Sequence, residues 1–482
     1  MPSSREPAFD ALRAAMLLSL LALHAAVPYI TTPLGELWPF QDRSTHFAFD
    51  ILVAFLHTFR IPLLFFVAGY FAASLYLRRG AKAFVVHRSR RIALPLVAAW
   101  LVTAPLTIAA FRAGAAAGRA PDASPASLPL AQIAGQLQWF HLWFLFDLLL
   151  YYAAACALVP LVRRLPECTK DRGLRAVDAF YRHPWAPLLA APITALTLLP
   201  MTSGMLETPG SFARPPATLL ANGIFVLAGW GLFLRREAVA ALPARAWSRV
   251  LWGVVLFAGW LVLLVRLQAG EARAHLPAIA LLAAACWFLV LGLAGVFVRH
   301  FATPRAATRQ LADASYWCYL AHLPVVVWCA VGLAGIDWPG GVKYALVLLA
   351  TTTACLGTYA LGMRVLHRGS ARATASASTF SSGRASPRAA VAAATAGSAE
   401  MAAEAKSKSR KRFRRRGHAP SGGSGNAHAR GRQGAAGVDS LAGEAKKVRG
   451  RRAGPARIRR PRRRPRPRAS SRSASGSRRP RR

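Results

Sequence analysis

The sequence predicts an all-α fold: a polytopic membrane helix bundle of about ten transmembrane helices with a disordered basic C-terminal tail. Three observations carry this expectation. Hydrophobic residues make up 54% of the 482-residue chain, yet the formal net charge is +43; both can hold only if the charge is segregated. It is segregated, because residues 369–482 carry 31 of the 62 Lys and Arg against four acids, a net of +27. Residues 1–368 keep the remaining +16 and contain repeated apolar runs of about 20 residues, the length a helix needs to cross a bilayer core. The chain therefore divides into a transmembrane domain, 1–368, and a tail, 369–482.

The expected spans lie near 10–30, 48–76, 92–112, 136–162, 185–201, 217–234, 246–267, 275–298, 313–334 and 343–366. The first has no small-x-small cleavage pattern, and Pro28 and Tyr29 follow where cleavage would fall, so it reads as a retained helix and not a signal peptide. The second is long enough to be tilted, or kinked at Pro62. The fifth is short and contains Pro187, Pro192 and Pro200. Loop charges test the count. Connections two, four, six and eight carry 19 Lys and Arg, whereas the odd-numbered connections carry seven. The positive-inside rule then places the even connections and both termini in the cytoplasm.

Several spans hold groups that lipid does not want. In the first, "FDALRAAMLLSLLALHAA", Asp10, Arg13 and His24 fall on one side of the helix, within about 60° of Asp10 at 100° per residue. Intramembrane ionisable groups normally face a bundle interior or a wet cavity. The plainer reading is a charge pair at the helix start and a packed histidine near the far interface. In the ninth, "ASYWCYLAHLPV", Ser315, Tyr319 and His322 share one face, either a chemical site or a polar seam between helices.

At the mouth of the third span, "VVHRSRRIALPL" sets Arg88 and Arg91 three residues apart. They are either an ordinary positive flank or a phosphate site, since guanidinium forks match phosphate oxygens. The second span carries His57 and Arg60 just before Pro62. The fourth, "QWFHLWFLFDLLLYY", has aromatics at its outer end and Asp147 about a turn and a half below His141. A carboxylate there needs a His or Arg partner from another helix.

In family order, "DALRAAMLLSLLALHA", "FRIPLLFFVAGYF", "RRIALPL", "HLWFLFDLLLYY" and "SYWCYLAHLP" resemble the acyltransferase-3 family of integral membrane O-acyltransferases, and within it the glucan-modifying branch, over roughly residues 5–366. Two departures are Arg60, where the resemblance leads one to expect a histidine, and "VAGYF" in place of a commoner Ser-Gly pair. The resemblance implies transfer of an acyl group of the acetyl or succinyl class from acyl-coenzyme A to a hydroxyl of a glucan, polysaccharide or glycolipid, in the bacterial inner membrane. It makes His24 the catalytic candidate, as base or as acyl carrier, with Asp10, Arg13 and His322 in support. Arg88 and Arg91 would hold the donor, and Asp147, Ser315 and Tyr319 the acceptor. An imidazole suits this chemistry, because a hydroxyl is a weak nucleophile until its proton is taken.

A transporter or flippase is the rival expectation, but its usual mark is an internal repeat, and spans one and two have no counterpart in six and seven. Six cysteines without CxxC or Cys/His spacing predict free thiols, no metal and no bound cofactor. The tail, with runs such as "KSRKRFRRR" and "RIRRPRRRPRPR", is too polar to bury a core. It is expected to lie on anionic lipid, to bind nucleic acid without sequence preference, or to be the product of a shifted reading frame in a GC-rich gene.

Overall fold

A computed structural model of the protein describes residues 6–35, 38–117, 138–201, 203–208 and 214–382, with side chains for all of these except Ala117 and 365–382. Among the described residues the secondary structure is helical: α1 Pro7–Ala26, α2 Phe47–Arg88, α3 Leu94–Ala117, α4 Trp143–Arg163, α5 Glu167–Arg182, α6 Ala186–Leu198, α7 Pro216–Leu234, α8 Ala246–Gln268, α9 His275–His300, α10 Ala306–Leu333 and α11 Gly340–Ser382. Each of the ten expected spans coincides with one of these helices; α5 is an additional helix in the fourth connection. Among the described residues eight segments are long and apolar enough to cross a membrane, of which Phe47–Ala116 takes in both α2 and all but the last residue of α3.

Local sequence explains where the helices start and break. Proline at the first turn begins α1 and α7, where the missing N–H costs nothing. α2 has 42 residues, about 63 Å at 1.5 Å per residue and twice the thickness of a bilayer core. It therefore has to break. The break lies at Gly80 (φ +77°), a left-handed conformation that glycine adopts without steric cost, whereas Pro62 stays within continuous helix. A π-turn, Ser89–Ala93, then leads into α3.

α6, at 13 residues, is too short to cross alone. Its ends are tied instead: Arg249 donates to the His183 carbonyl before it, and beyond its last turn His275 and Trp260 bond the carbonyls of Met201 and Gly204. α11 runs as helix to Ser382, past residue 369 where the basic composition begins. The expected tail, 369–482, thus begins within this helix, and its remainder from 383 to 482, with the expected disorder and lipid or nucleic-acid contacts, lies outside the described residues.

Close approaches fix how the helices run. A Cβ at Gly69 would fall 2.1 Å from the Val226 carbonyl, and one at Gly229 would fall 1.8 Å from that of Phe66. Further along, Tyr76 meets Trp230, so α2 and α7 run parallel, as spans two and six should. In α1 and α10, Leu21 packs with Cys318 and His24 bonds His322 one turn later, so these helices are parallel too. Large apolar side chains such as Leu101, Leu196, Leu227, Leu251 and Leu349 point outward, as a surface facing lipid requires.

Three sets of contacts close the end of the bundle reached by the C-terminus of α1. The segment after α1 is pinned by a buried ion pair, Lys343 to Asp42 at 2.9 Å, and by Asp50, which accepts from the backbone N–H groups of Thr31 and Thr32. Ser44 bonds the Gly340 N–H at 2.7 Å. Trp38, in that segment, packs its ring against those of His24 and Phe111. At the opposite end, α5 presents Lys170–Glu167 and Arg182–Asp178 pairs on its exposed side and anchors through Tyr181, whose hydroxyl donates to the Ala228 carbonyl at 2.6 Å.

Candidate active site

Three histidines from three elements meet beneath Trp38. His24 comes from the last turn of α1 and His322 from the middle of α10; their rings stack with centroids 5.0 Å apart, and His24 Nδ1 lies 2.9 Å from His322 Nε2. His141 comes from the short turn Phe140–Leu142 that opens α4, and its ring stands edge-on to His322 at 4.8 Å. Phe140, immediately before it, has φ +47°, a conformation uncommon for a residue with a Cβ and one that gathers at functional sites.

The hydrogen bonds assign the protons. His322 Nδ1 lies 2.7 Å from the Tyr319 carbonyl and 3.1 Å from that of Cys318. Carbonyls only accept, so Nδ1 of His322 carries the hydrogen and its Nε2 the lone pair. His24 must then donate from Nδ1, which leaves its own Nε2 with a lone pair and no hydrogen-bond partner among the described residues. His141 donates from Nε2 to the Leu320 carbonyl at 3.1 Å, and Tyr319 donates to the His141 carbonyl at 2.7 Å. The ninth-span residues thus orient the cluster while His24 presents its free nitrogen. His322 is fully buried and His24 only partly so, which leaves the reactive ring the accessible one.

Arg60 and His57, one helical turn apart on α2, complete the surroundings. Arg60 is 3% exposed, with Nε and Nη1 buried and unpartnered. It interacts electrostatically with His24, His57, Tyr319 and His322. His57 bonds the Leu206 carbonyl at 2.8 Å. Trp38, its ring 5.9 Å from that of His24, has a buried indole N–H without a partner.

The other expected site residues divide. Asp10 and Arg13 pair with each other at 3.2 Å but are not brought to His24, since the eleven residues from Arg13 to His24 rise about 16 Å. Arg13 instead lies over the Phe71 ring and acts electrostatically on Tyr152. Arg88 sits 4.5 Å over that same Tyr152 ring. Arg91 is exposed and lines a basic pocket of about 640 Å³ with Arg79, Lys82, His87 and Arg90. Asp147 has the partner it needed, Arg214, at 2.8 Å and fully buried. Ser315 donates back to the Ala312 carbonyl of its own helix, so its hydroxyl is engaged locally.

The residues that sequence reasoning passed over are His141 and Arg60. Both stood in quoted motifs, His141 as a landmark and Arg60 as a departure from pattern. The available signal was a histidine and an arginine at positions where an aromatic belt or plain lipid contact would not need them. Among the described residues no group of three or more His, Cys, Asp or Glu is arranged to hold a metal ion.

Comparison with known proteins adds an independent line. The model of a family described as an acyltransferase domain matches residues 6–360. Proteins named glucans biosynthesis protein C from Salmonella paratyphi B, Salmonella heidelberg and Salmonella agona are each 25% identical over 176 residues. The match spans 36% of this chain and 44% of each relative, so less than half the length of those proteins is covered. No solved structure matches.

Proposed function

The chain belongs to the acyltransferase-3 family, and from that premise we propose that it moves an acyl group from acyl-coenzyme A to a hydroxyl of a carbohydrate such as a glucan. The observation that carries this reading is the hydrogen bond from His24 to His322, with His322 held by two backbone carbonyls. A hydroxyl becomes a good nucleophile only as it loses its proton. His24 Nε2 is the one imidazole nitrogen of the stacked pair left to take it, and the imidazolium that forms stays aligned by His322. That arrangement favours a general base over an acyl carrier.

The donor enters at the arginine end in this reading. Arg91 and its basic neighbours receive the phosphates of coenzyme A, and Arg88 and Arg13, gathered about Tyr152, carry positive charge inward from there. The acyl thioester then threads along the bundle to His24. Asp147 with Arg214, and Tyr319, shape the acceptor side. With the even connections in the cytoplasm, the chain sits in the bacterial inner membrane with both termini inside. Coenzyme A binds on the cytoplasmic face and the carbohydrate is acylated from the other.

The test is His24→Ala expressed as the only copy in cells. Ester-linked acyl groups on the cell's glycan, measured by mass spectrometry, should disappear at normal protein level in the membrane. Full acyl content would remove His24 from the reaction.

A further inference from the structure

Burying a guanidinium inside a bundle is costly, and the cost is normally offset by a carboxylate. Arg60 has none. The two acids buried in the described bundle are engaged elsewhere, Asp147 with Arg214 and Asp42 with Lys343, and the partly buried Asp50 bonds Thr31 and Thr32. Asp10 is taken by Arg13 on a distant turn. Arg60 thus carries its charge without a counter-ion among the described residues, with two buried N–H groups unused and within electrostatic reach of the proton-accepting pair. Its position on α2 is secured by the close crossing of α2 with α7 one to three turns on, so the charge is held in place before any ligand arrives.

We propose that Arg60 is a catalytic residue of the reaction set out above, on which this inference rests: it stabilises the oxyanion that forms on the acyl carbonyl. The acceptor oxygen bonds to the thioester carbon as its proton passes to His24 Nε2. The carbonyl π pair moves to oxygen, and that negative charge faces the guanidinium. Return of the pair re-forms the carbonyl and breaks the C–S bond, and the departing sulfur takes the proton from His24 to leave as the thiol. Fixed charge aimed at a developing anion in a water-poor site is an effective form of transition-state stabilisation. The alternative occupant, a carboxylate carried by the acyl group itself, would lie bonds away from the reacting carbon, whereas Arg60 neighbours the groups that handle the proton.

The experiment compares the purified full-length enzyme with Arg60→Met and Arg60→Lys, using acetyl-coenzyme A and succinyl-coenzyme A as donors and a glucan oligosaccharide as acceptor. Arg60→Met should lower kcat roughly 100- to 1000-fold with either donor, the scale seen when one oxyanion donor is removed, with KM values little changed. Arg60→Lys should recover part of the rate. Because the substitution removes an unpaired buried charge, Arg60→Met should also raise the melting temperature. An unchanged kcat, a loss confined to succinyl-coenzyme A, or a lowered melting temperature would each overturn the proposal. If the unmodified enzyme uses neither donor, the acyl-coenzyme A reading fails, and the melting comparison still decides whether Arg60 stores charge or merely packs.

Discussion

The two ends of the bundle solve different problems with different materials. At the histidine end, His24, His322, His141 and Tyr319 form one chain of hydrogen bonds and ring contacts, most of it fully buried, in which the direction of each bond is set by a backbone carbonyl. At the arginine end, Arg79, Lys82, Arg90 and Arg91 line an open pocket with no such order, and Arg88 rests on the faces of Phe84 and Tyr152. Moving a proton demands one nitrogen at one place. Holding phosphates demands charge density, which several mobile cations supply interchangeably. The histidine end should accordingly be brittle and the arginine end tolerant.

The sharpest way to break that contrast is His322→Phe. It puts a somewhat larger aromatic ring in place of the imidazole and removes both the acceptor for His24 Nδ1 and the N–H given to the Tyr319 and Cys318 carbonyls, and kcat should fall by roughly 10²- to 10³-fold, within the range of acid–base contributions. Donor KM should barely move. An effect under threefold would show that His24 needs no orienting partner. Next in size is the double change Arg88→Gln with Arg91→Gln. Each lost charge-assisted contact is worth about 1.5–3 kcal/mol, so the apparent donor KM should rise by two orders of magnitude or more while kcat holds. Arg91→Lys alone should be nearly silent, and a large loss from it would mean that the pocket reads geometry and not charge.

Lys343→Met probes how the histidine end is closed. It strands Asp42 in a buried position, a change that typically costs about 3–5 kcal/mol. It should lower the melting temperature and loosen the segment that carries Trp38, detectable as faster hydrogen exchange across residues 38–46. A melting temperature equal to wild type would show that the Asp42 pair does not hold that segment. The smallest effect is expected from truncation. A stop codon after Ser382 should leave insertion and transfer unchanged, and loss of transfer by a protein that still inserts would give the tail a function. A reporter active only outside the cytoplasm, fused at that point, should stay silent; an active one would reverse the orientation of the bundle.

Much of the architecture was legible in the chain because lipid imposes a coarse rule. A span needs about 20 apolar residues whatever it packs against, and all ten expected spans meet a helix, including α6, whose prolines made it look doubtful. Details that depend on packing were not legible. Pro62 was the obvious place for a kink, yet a proline can stay in helix where neighbours compensate, and it was Gly80 that broke α2. The amphipathic helix α5 read only as a charged loop, since its single deeply buried anchor, Tyr181, shows no pattern by itself.

For the site, composition and spacing picked out His24, His322, Tyr319, Arg88 and Arg91 as groups that lipid alone does not explain. They could not say that Asp10 and Arg13 would serve the far end of the bundle, because a helical stripe records angle and ignores how far apart along the axis its members act. The need of Asp147 for a partner was readable from its charge alone; that the partner would be Arg214 was not. Nor could they show that His141 and Arg60 complete the cluster. Sequence determined the class of fold and the types of group available, since hydropathy and charge are properties of single residues. Only the tertiary structure decided which nitrogen of His24 is free and that Arg60 has no anion among the described residues, because both depend on what distant helices supply, as in the bond between His24 and His322, nearly 300 residues apart in the chain.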